Sequence, residues 1–325
     1  MRALQQISLN GPEDLRLIND APTPEPGPEE VLIRVAAAGV NFADLSQAHG
    51  TFAHGPQPPY LAGFEAAGPI VAVGSAVTGL APGTHVVGTN VFGLGAFAEY
   101  MVLPAVAALP IPAGWSAEQA LGLTVNHPTA LAALRPLGGL TAGQTVLIHA
   151  AAGATGQAAT AIARHYGAKV IASASPAKHS ELRDADHVLD SRSTDLADQV
   201  LELTDGVGVD LVLESAGGTT FEASLASAKR VTGRVVVIGT AGGDATLTNW
   251  DLVYRHQVQV IGFNLGVLIQ TAPQIFGEVM GEVFTLIAGG VLRPARPTVY
   301  DLADGPTALA ALQSRATVGK LALRP

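Results

Sequence analysis

The sequence contains no cysteine. Disulfides, thiolate nucleophiles and thiolate-held zinc are therefore excluded, although a cysteine-free chain folds in either redox compartment. Charge is scarce as well. Only 14% of the 325 residues are charged against 48% that are apolar, and the formal net charge is −9. No cluster of Lys and Arg occurs, so binding along a nucleic-acid backbone is not expected. A pocket for one anionic cofactor needs only a few local donors and stays open. Long apolar runs are also missing: Gly, Pro, His or charge interrupts the most apolar segments. The start, "MRALQQISLNGPEDL", has no apolar signal core. The expectation is a soluble, cytoplasmic protein without a membrane span. What is present, much Gly, Ala and Val over this length, suits about two α/β domains.

Along the chain, the first part offers short strand signals between turn residues, such as "VLIRVAAAGV", "GPIVAVG" and "THVVGT". It has no clear amphipathic helix and reads as a β-rich module. Near Leu121 the pattern changes. "TALAALRPLG" reads as a helix ending at Gly138 and Gly139. Strands ("TVLIHA", "KVIASA", "VDLVLESAG", "RVVVIGT", "VQVIGFNL") then alternate with helices ("GQAATAIARHYG", "TDLADQVLELTDG", "FEASLASAKRVTG"). The strands are almost wholly apolar, which fits a parallel doubly wound sheet covered on both faces. The tail carries one more clear helix, "IFGEVMGEVFTLIAGG". It ends in a strand-like "GKLALRP" that is expected to return to the first module. The fold class is α/β, with a Rossmann sheet inserted into a β-rich domain and the active site expected in the cleft between them.

The turn "HAAAGATGQ" carries the chemistry. A pyrophosphate needs close backbone approach and the free N–H groups of a helix N-terminus. Ala151, Gly153 and Gly156 hold the three positions of a G-x-G-x-x-G spacing. Alanine in the first is a departure, but it is still small. Gly153, Ala154, Thr155 and Gly156 fit the turn between "TVLIHA" and its helix. Taken alone, the string reads equally well as a Gly/Ala-rich helix start; the β–turn–α–β order around it favours the dinucleotide. About twenty residues on, an acidic residue grips the ribose when NAD binds. Here stand Ser173, Ser175, Lys178 and His179. A carboxylate would repel a 2′-phosphate, whereas a serine and a lysine would bind one, so NADPH is the expected cofactor. Lys178 by itself also reads as a solvated lysine at a helix start.

The chain resembles the zinc-free quinone oxidoreductase (zeta-crystallin-like) branch of the medium-chain dehydrogenase/reductase superfamily. The likeness rests on "GVNFADLSQAHGTF", "YLAGFEAAGPIVAVGSAVTGLAPGTHVVG", "GAFAEYMVLPA", "GLTVNHPTAL", "AAGATG", "DGVGVDLVLESAGG" and "RATVGKLALRP", in that order over nearly the full length. It implies a GroES-like domain over residues 1–124 and 265–325 and a Rossmann NADPH-binding domain over 125–264. Zinc-containing relatives place a cysteine where this chain has Asn41 and a histidine where it has Phe64. Asn and Phe cannot rebuild that site, and no other spacing supports a metal at the histidines at 49, 54, 85 and 127, so no metal is expected. The implied reaction is NADPH-dependent hydride transfer to a quinone or an α,β-unsaturated carbonyl. The alternatives are an enoyl reductase or tailoring enzyme for a bulky thioester or natural product, and a non-catalytic NADPH-binding protein of crystallin type.

The resemblance also suggests site residues, each with a plainer alternative. Asn41 would hold a cofactor or substrate oxygen, or else close a turn. Thr124 would lie near the nicotinamide, with Asn126 and His127 facing the substrate. Ser191, Ser215, Gly239, Thr240, Phe263 and Asn264 would line the cofactor. Lys320 would approach it, or lie on the surface. Glu65 is expected to bridge loops. Departures from the branch are Ser46 for a tyrosine, Ala48 for an arginine and Ser191 for a stacking tyrosine. They leave Tyr60 as the nearest phenol of the substrate pocket, with no clear general acid. Relatives pair sheet edges into homodimers, and "VQVIGFNL" is the candidate edge or an interior strand.

Overall fold

The computed structural model describes residues 1–90 and 93–325. They form two compact units, Met1–Val125 with Pro294–Pro325, and Asn126–Arg293. The second boundary, expected at 264/265, therefore falls at 293/294. Helix Pro273–Ala288 sends Val279, Val283 and Leu286 into the same core as Val146, Ile148 and Leu213 of the parallel sheet. Burial of that apolar stripe decides where the helix belongs.

The first unit is β-rich. One sheet runs in the order Thr298–Asp301, Leu321–Arg324, Ala37–Val40, Glu65–Val73, Glu30–Arg34, Tyr100–Pro104, and His85–Thr89 also pairs with Glu65–Val73. The C-terminal strand joins it antiparallel, with Leu321 opposite Val40 and Leu323 opposite Ala38. The tail thus returns to the first module, as its "GKLALRP" pattern suggests. Short helices in this unit escape the sequence pattern, Ala117–Ala120 among them. Phe42–Ala48 is too short to show a period, and in Gly305–Gln313 only Gly305, Ala308 and Leu309 are buried. Each is held by its setting more than by its own pattern.

The second unit is a six-stranded parallel sheet. Its strands, numbered within the unit, are β1 Thr145–Ile148, β2 Lys169–Ala174, β3 His187–Asp190, β4 Leu211–Glu214, β5 Arg234–Val237 and β6 Gln259–Gly262. They lie in the order 3-2-1-4-5-6, which places the break in winding direction beside β1. Successive residues feed opposite faces. Val146, Ile148, Val170, Ala172, Leu211 and Leu213 enter one core, and Leu147, Ile171, Val212 and Val235 the other. This explains the unbroken apolar strands. Each fully buried aliphatic contributes about 1.5–3 kcal/mol. The strand β3 is not expected from the sequence, because only four residues, flanked by charge, carry its signal.

Helix Ala154–His165 follows β1 and buries Ala158, Ala159, Ile162 and Ala163 against the sheet. Its approach is set by Gly156, where a Cβ would lie 2.5 Å from the Ala150 carbonyl oxygen and 2.6 Å from the Ala151 Cα. No side-chain movement relieves such a contact. The helix stops at Tyr166, and Gly167 follows at φ +75°.

Candidate functional site

In the first unit the chain buries a charged cluster. Glu65 begins a long strand, Lys320 immediately precedes the C-terminal strand, and Asn41 precedes helix Phe42–Ala48. All three are at most 6% exposed. The Lys320 ammonium donates to Asn41 Oδ1 and to Glu65 Oε2, both at 2.6 Å. Asn41 Nδ2 donates to Glu65 Oε2 at 2.9 Å and, more weakly, to the Gly39 carbonyl at 3.3 Å. The other oxygen of Glu65 accepts the backbone N–H of Gly122. Glu65 thus bridges loops, as expected.

The Asn41 amide is engaged on both its nitrogen and its oxygen inside the unit. Lys320 is not a surface lysine: it is buried, and its ammonium pairs with Glu65. Local sequence hides both roles, because Asn41 and Lys320 lie 24 and 255 residues from Glu65.

Asp44 adds a second carboxyl to this cluster. Its Oδ2 accepts the Asn41 N–H at 2.7 Å, while the buried Oδ1 has no hydrogen-bond partner among the described residues. Burial pushes its pKa up to about 8, against the lowering by the Asn41 N–H and by Lys320; Glu65 adds to the rise. The ammonium already offsets one carboxylate, and a second buried negative charge would be uncompensated. Tyr60, half-buried, is pushed to about 12 by burial and then by Asp44, so its phenol remains a donor. Thr124 is 5% exposed and its hydroxyl has no partner among the described residues. Ser46 bonds back to the Phe42 carbonyl at 3.2 Å, and Ala48 is buried.

In the second unit, the turn after β1 has the form a dinucleotide requires. Ala150 takes a left-handed φ of +48°, Gly153 caps helix Ala154–His165 without a side-chain bond, and Gly153, Ala154 and Thr155 are partly exposed. The first N–H groups of a helix have no partner within it, and they suit a pyrophosphate. Asn126 Nδ2 donates to Thr155 Oγ1 at 2.9 Å, which ties an expected substrate residue to the turn, and His127 is buried.

At the end of β2, Ser173 is fully buried and its hydroxyl meets His149 Nδ1 at 2.8 Å. A hydroxyl with no exposed surface cannot take a 2′-phosphate, so that expectation is corrected. Lys178 and Arg192 are the groups with the right charge here. Burial above all, and then the nearby guanidinium, hold the Lys178 ammonium below its ordinary range. Arg192 has no motif to mark it. Ser191, one residue earlier, is partly exposed.

The remaining expected cofactor residues lie at the ends of β4 to β6. Ser215 and Gly239 are neighbours, and the Ala241 N–H reaches the Ser215 carbonyl at 3.3 Å. Thr240 is exposed in the same loop. The Phe263 N–H continues the sheet to Val237 at 2.9 Å. Asn264 is largely occupied as a cap, accepting from the Val267 N–H at 3.1 Å. Among the described residues no group of His, Asp and Glu could hold a metal ion.

Two family models match the chain: an alcohol dehydrogenase GroES-like domain over residues 27–113 and a zinc-binding dehydrogenase domain over residues 183–323. A quinone oxidoreductase of Escherichia coli, solved with NADPH, is 32% identical with a TM-score of 0.92, and the match covers 100% of both chains. The chain belongs to the quinone oxidoreductase branch of the medium-chain dehydrogenase/reductase superfamily. Membership accounts for a GroES-like unit paired with a Rossmann sheet. A second solved structure, CurK enoyl reductase, is 30% identical with a TM-score of 0.89 over 99% of this chain and 98% of that one. A phthioceranic/hydroxyphthioceranic acid synthase of Mycobacterium tuberculosis is 35% identical over 98% of this chain, which spans only 15% of that protein's length.

The buried cluster predicts two outcomes. Glu65→Gln strands the Lys320 ammonium and should cost about 3–5 kcal/mol in chemical denaturation, with much of the loss recovered in Glu65→Gln/Lys320→Met. Equal destabilisation by the single and double variants would contradict the pairing. For Asp44 the folded pKa, about 8, exceeds its ordinary 3.8. The folded state therefore keeps a proton that the unfolded chain loses, and this contribution to stability is complete below 3.8 and lost as pH rises to about 8. Unfolding of wild type and Asp44→Asn across that window should show the variant gaining steadily on wild type; parallel curves would refute a protonated Asp44.

Proposed function

We propose that the protein is an NADPH-dependent reductase of quinones and α,β-unsaturated carbonyls. The observation that carries this reading is a dinucleotide turn with an open helix N-terminus, in a chain alike over its full length to an NADPH-binding quinone oxidoreductase. Bound NADPH would supply a hydride to the β-carbon of the acceptor, and a proton would then complete the α-carbon or the quinone oxygen. The helix N-terminus at Gly153–Gly156 would hold the pyrophosphate, and Lys178 and Arg192 the 2′-phosphate. In the first unit, Thr124, whose buried hydroxyl has no partner among the described residues, and the protonated phenol of Tyr60 are neutral donors of the kind that an oxygen gaining charge requires.

A second reading, an enoyl thioester as substrate, has its own support. The 35% identity to the phthioceranic/hydroxyphthioceranic acid synthase extends over nearly the whole chain, and small Ser46 stands where the branch, by resemblance, carries a tyrosine. The two readings share the conjugated carbonyl and the cofactor, and differ in the group attached to the carbonyl carbon.

The test is NADPH and NADH titration followed by turnover with a simple quinone, an enone and a crotonyl thioester. NADPH should bind more tightly than NADH. Lys178→Ala/Arg192→Ala should lose about 10–100-fold in NADPH affinity with little change for NADH. An unchanged preference would remove the phosphate role of this pair. Turnover confined to the thioester would select the second reading, and no turnover of any acceptor would leave neither.

We also propose a homodimer. The strand β6 is an edge of the parallel sheet, and Trp250, Val253 and Tyr254 just before it are more than half exposed. An uncovered edge with such apolar surface is a liability in a lone chain. Light scattering should give twice the chain mass; a monomer at micromolar concentration would sink the proposal.

A further inference from the structure

Four polar side chains lie beneath the dinucleotide turn with no more than 2% exposure: His149, Ser173, Glu214 and Ser224. They come from the ends of β1, β2 and β4 and from helix Gly218–Ser227. His149 meets Ser173 Oγ through Nδ1 at 2.8 Å and Ser224 Oγ through Nε2 at 3.0 Å. Ser224 also donates to Glu214 Oε2, and Glu214 Oε1 accepts the N–H groups of Ala216 at 2.6 Å and Gly217 at 2.8 Å.

The hydrogens can be assigned by elimination. Ser224 has one proton, and its acceptors are the Glu214 carboxylate and the Thr220 carbonyl. The carboxylate takes it, because a charge-assisted bond is about twice as strong as a neutral one. Ser224 Oγ is then an acceptor toward His149, so Nε2 carries the imidazole proton and Nδ1 accepts from Ser173. Every group is satisfied with a neutral ring. Burial agrees with that state by holding the histidine below its ordinary range, against the pull of Glu214.

Each member holds a segment that would carry the cofactor. His149 directly precedes the turn, where Ala151 N–H bonds the Ser173 carbonyl at 3.1 Å. Ser173 lies two residues before Ser175, which starts the Lys178 segment. Glu214 fixes the loop Ser215–Gly217. That loop is latched in turn to the one after β5, through the Gly218 N–H and the Gly243 carbonyl at 3.0 Å. Gly217, at φ +71°, permits the latch, since a Cβ there would lie 2.2 Å from the Gly243 oxygen.

We propose that His149, as its Nε2–H tautomer, is a positioning residue that locks the turn after β1, the end of β2 and the loop after β4 into one arrangement competent for the dinucleotide. The proposal rests on the NADPH reading above. None of the four touches the cofactor; they act through backbone that does.

The experiment uses the full chain. In wild type, nitrogen NMR of the imidazole should show Nε2 protonated and Nδ1 bare at neutral pH. His149→Ala should raise the NADPH Kd about tenfold. His149→Gln, whose amide can still donate to Ser224, should recover most of that loss. Ser224→Ala should weaken NADPH binding as well, and it serves if His149→Ala does not fold. An Nδ1–H ring or an imidazolium would overturn the proposal. So would variants that melt at lower temperature yet bind NADPH as wild type does. Failure of wild type to bind NADPH would instead strike the reading on which the proposal rests, and the two failures are seen in different samples.

Discussion

The ion pair between Glu65 and Lys320 is the interaction on which the first unit depends. Neither group has solvent to share its charge, and each offsets the charge of the other. The pair also fixes chain that is distant in sequence. Lys320 immediately precedes the C-terminal strand, Glu65 opens the longest strand of the sheet, and Asn41 is held by both. The second oxygen of Glu65 reaches the Gly122 N–H, two residues before Thr124. A single buried charge pair thereby positions the start of helix Phe42–Ala48, the last strand and the segment bearing the Thr124 hydroxyl. Asp44 shows how little room is left, for it enters the same cluster as a carboxyl that burial keeps protonated into neutral pH.

How much of the structure is legible in the sequence depends on the range of the interactions. The parallel sheet is legible because each strand announces itself locally through apolar residues and flanking turn chemistry, and because both faces are buried. The turn at Gly153–Gly156 is legible for the same reason. The strand β3 and helix Phe42–Ala48 are not, since four and seven residues carry too little pattern. The side-chain roles fare worst. Asn41, Ser173 and Lys320 read as ligand contacts by their positions, yet each is bonded inside its unit to a residue 24 or more positions away. A polar residue near a binding motif has two fates, exposed to the ligand or buried under it, and local sequence does not separate them.

The two buried networks solve that burial problem differently. Glu65 is balanced by a full opposite charge. Glu214 is balanced by dipoles: two backbone N–H groups, the Ser224 hydroxyl and the start of helix Gly218–Ser227. The difference has consequences for rigidity. An ammonium on a flexible stem tolerates small shifts of its partners, whereas backbone N–H donors bind the carboxylate only while the loop keeps its shape. The loop after β4 is therefore held more tightly in form than its exposure would suggest, and that loop belongs to the edge where parallel sheets bind ligands.

This contrast bears on the chemistry proposed for the chain. The resemblance puts Asn41 and Phe64 where relatives with zinc would place ligands, and the cation that reaches the oxygens of Asn41 and Glu65 is an ammonium. An ammonium bonded to a carboxylate at 2.6 Å is largely neutralised, so it polarises a substrate oxygen far less than an open Lewis acid would. In the proposed reaction the donors of this unit would be neutral ones, the hydroxyls of Thr124 and Tyr60. Neutral donors stabilise a delocalised negative charge adequately but do little to draw a proton from an alcohol. The charge that develops on hydride addition to a conjugated carbonyl is spread over several atoms from the outset. The proposed substrates are therefore those whose own conjugation supplies the activation that this cluster, with its charges turned inward, does not.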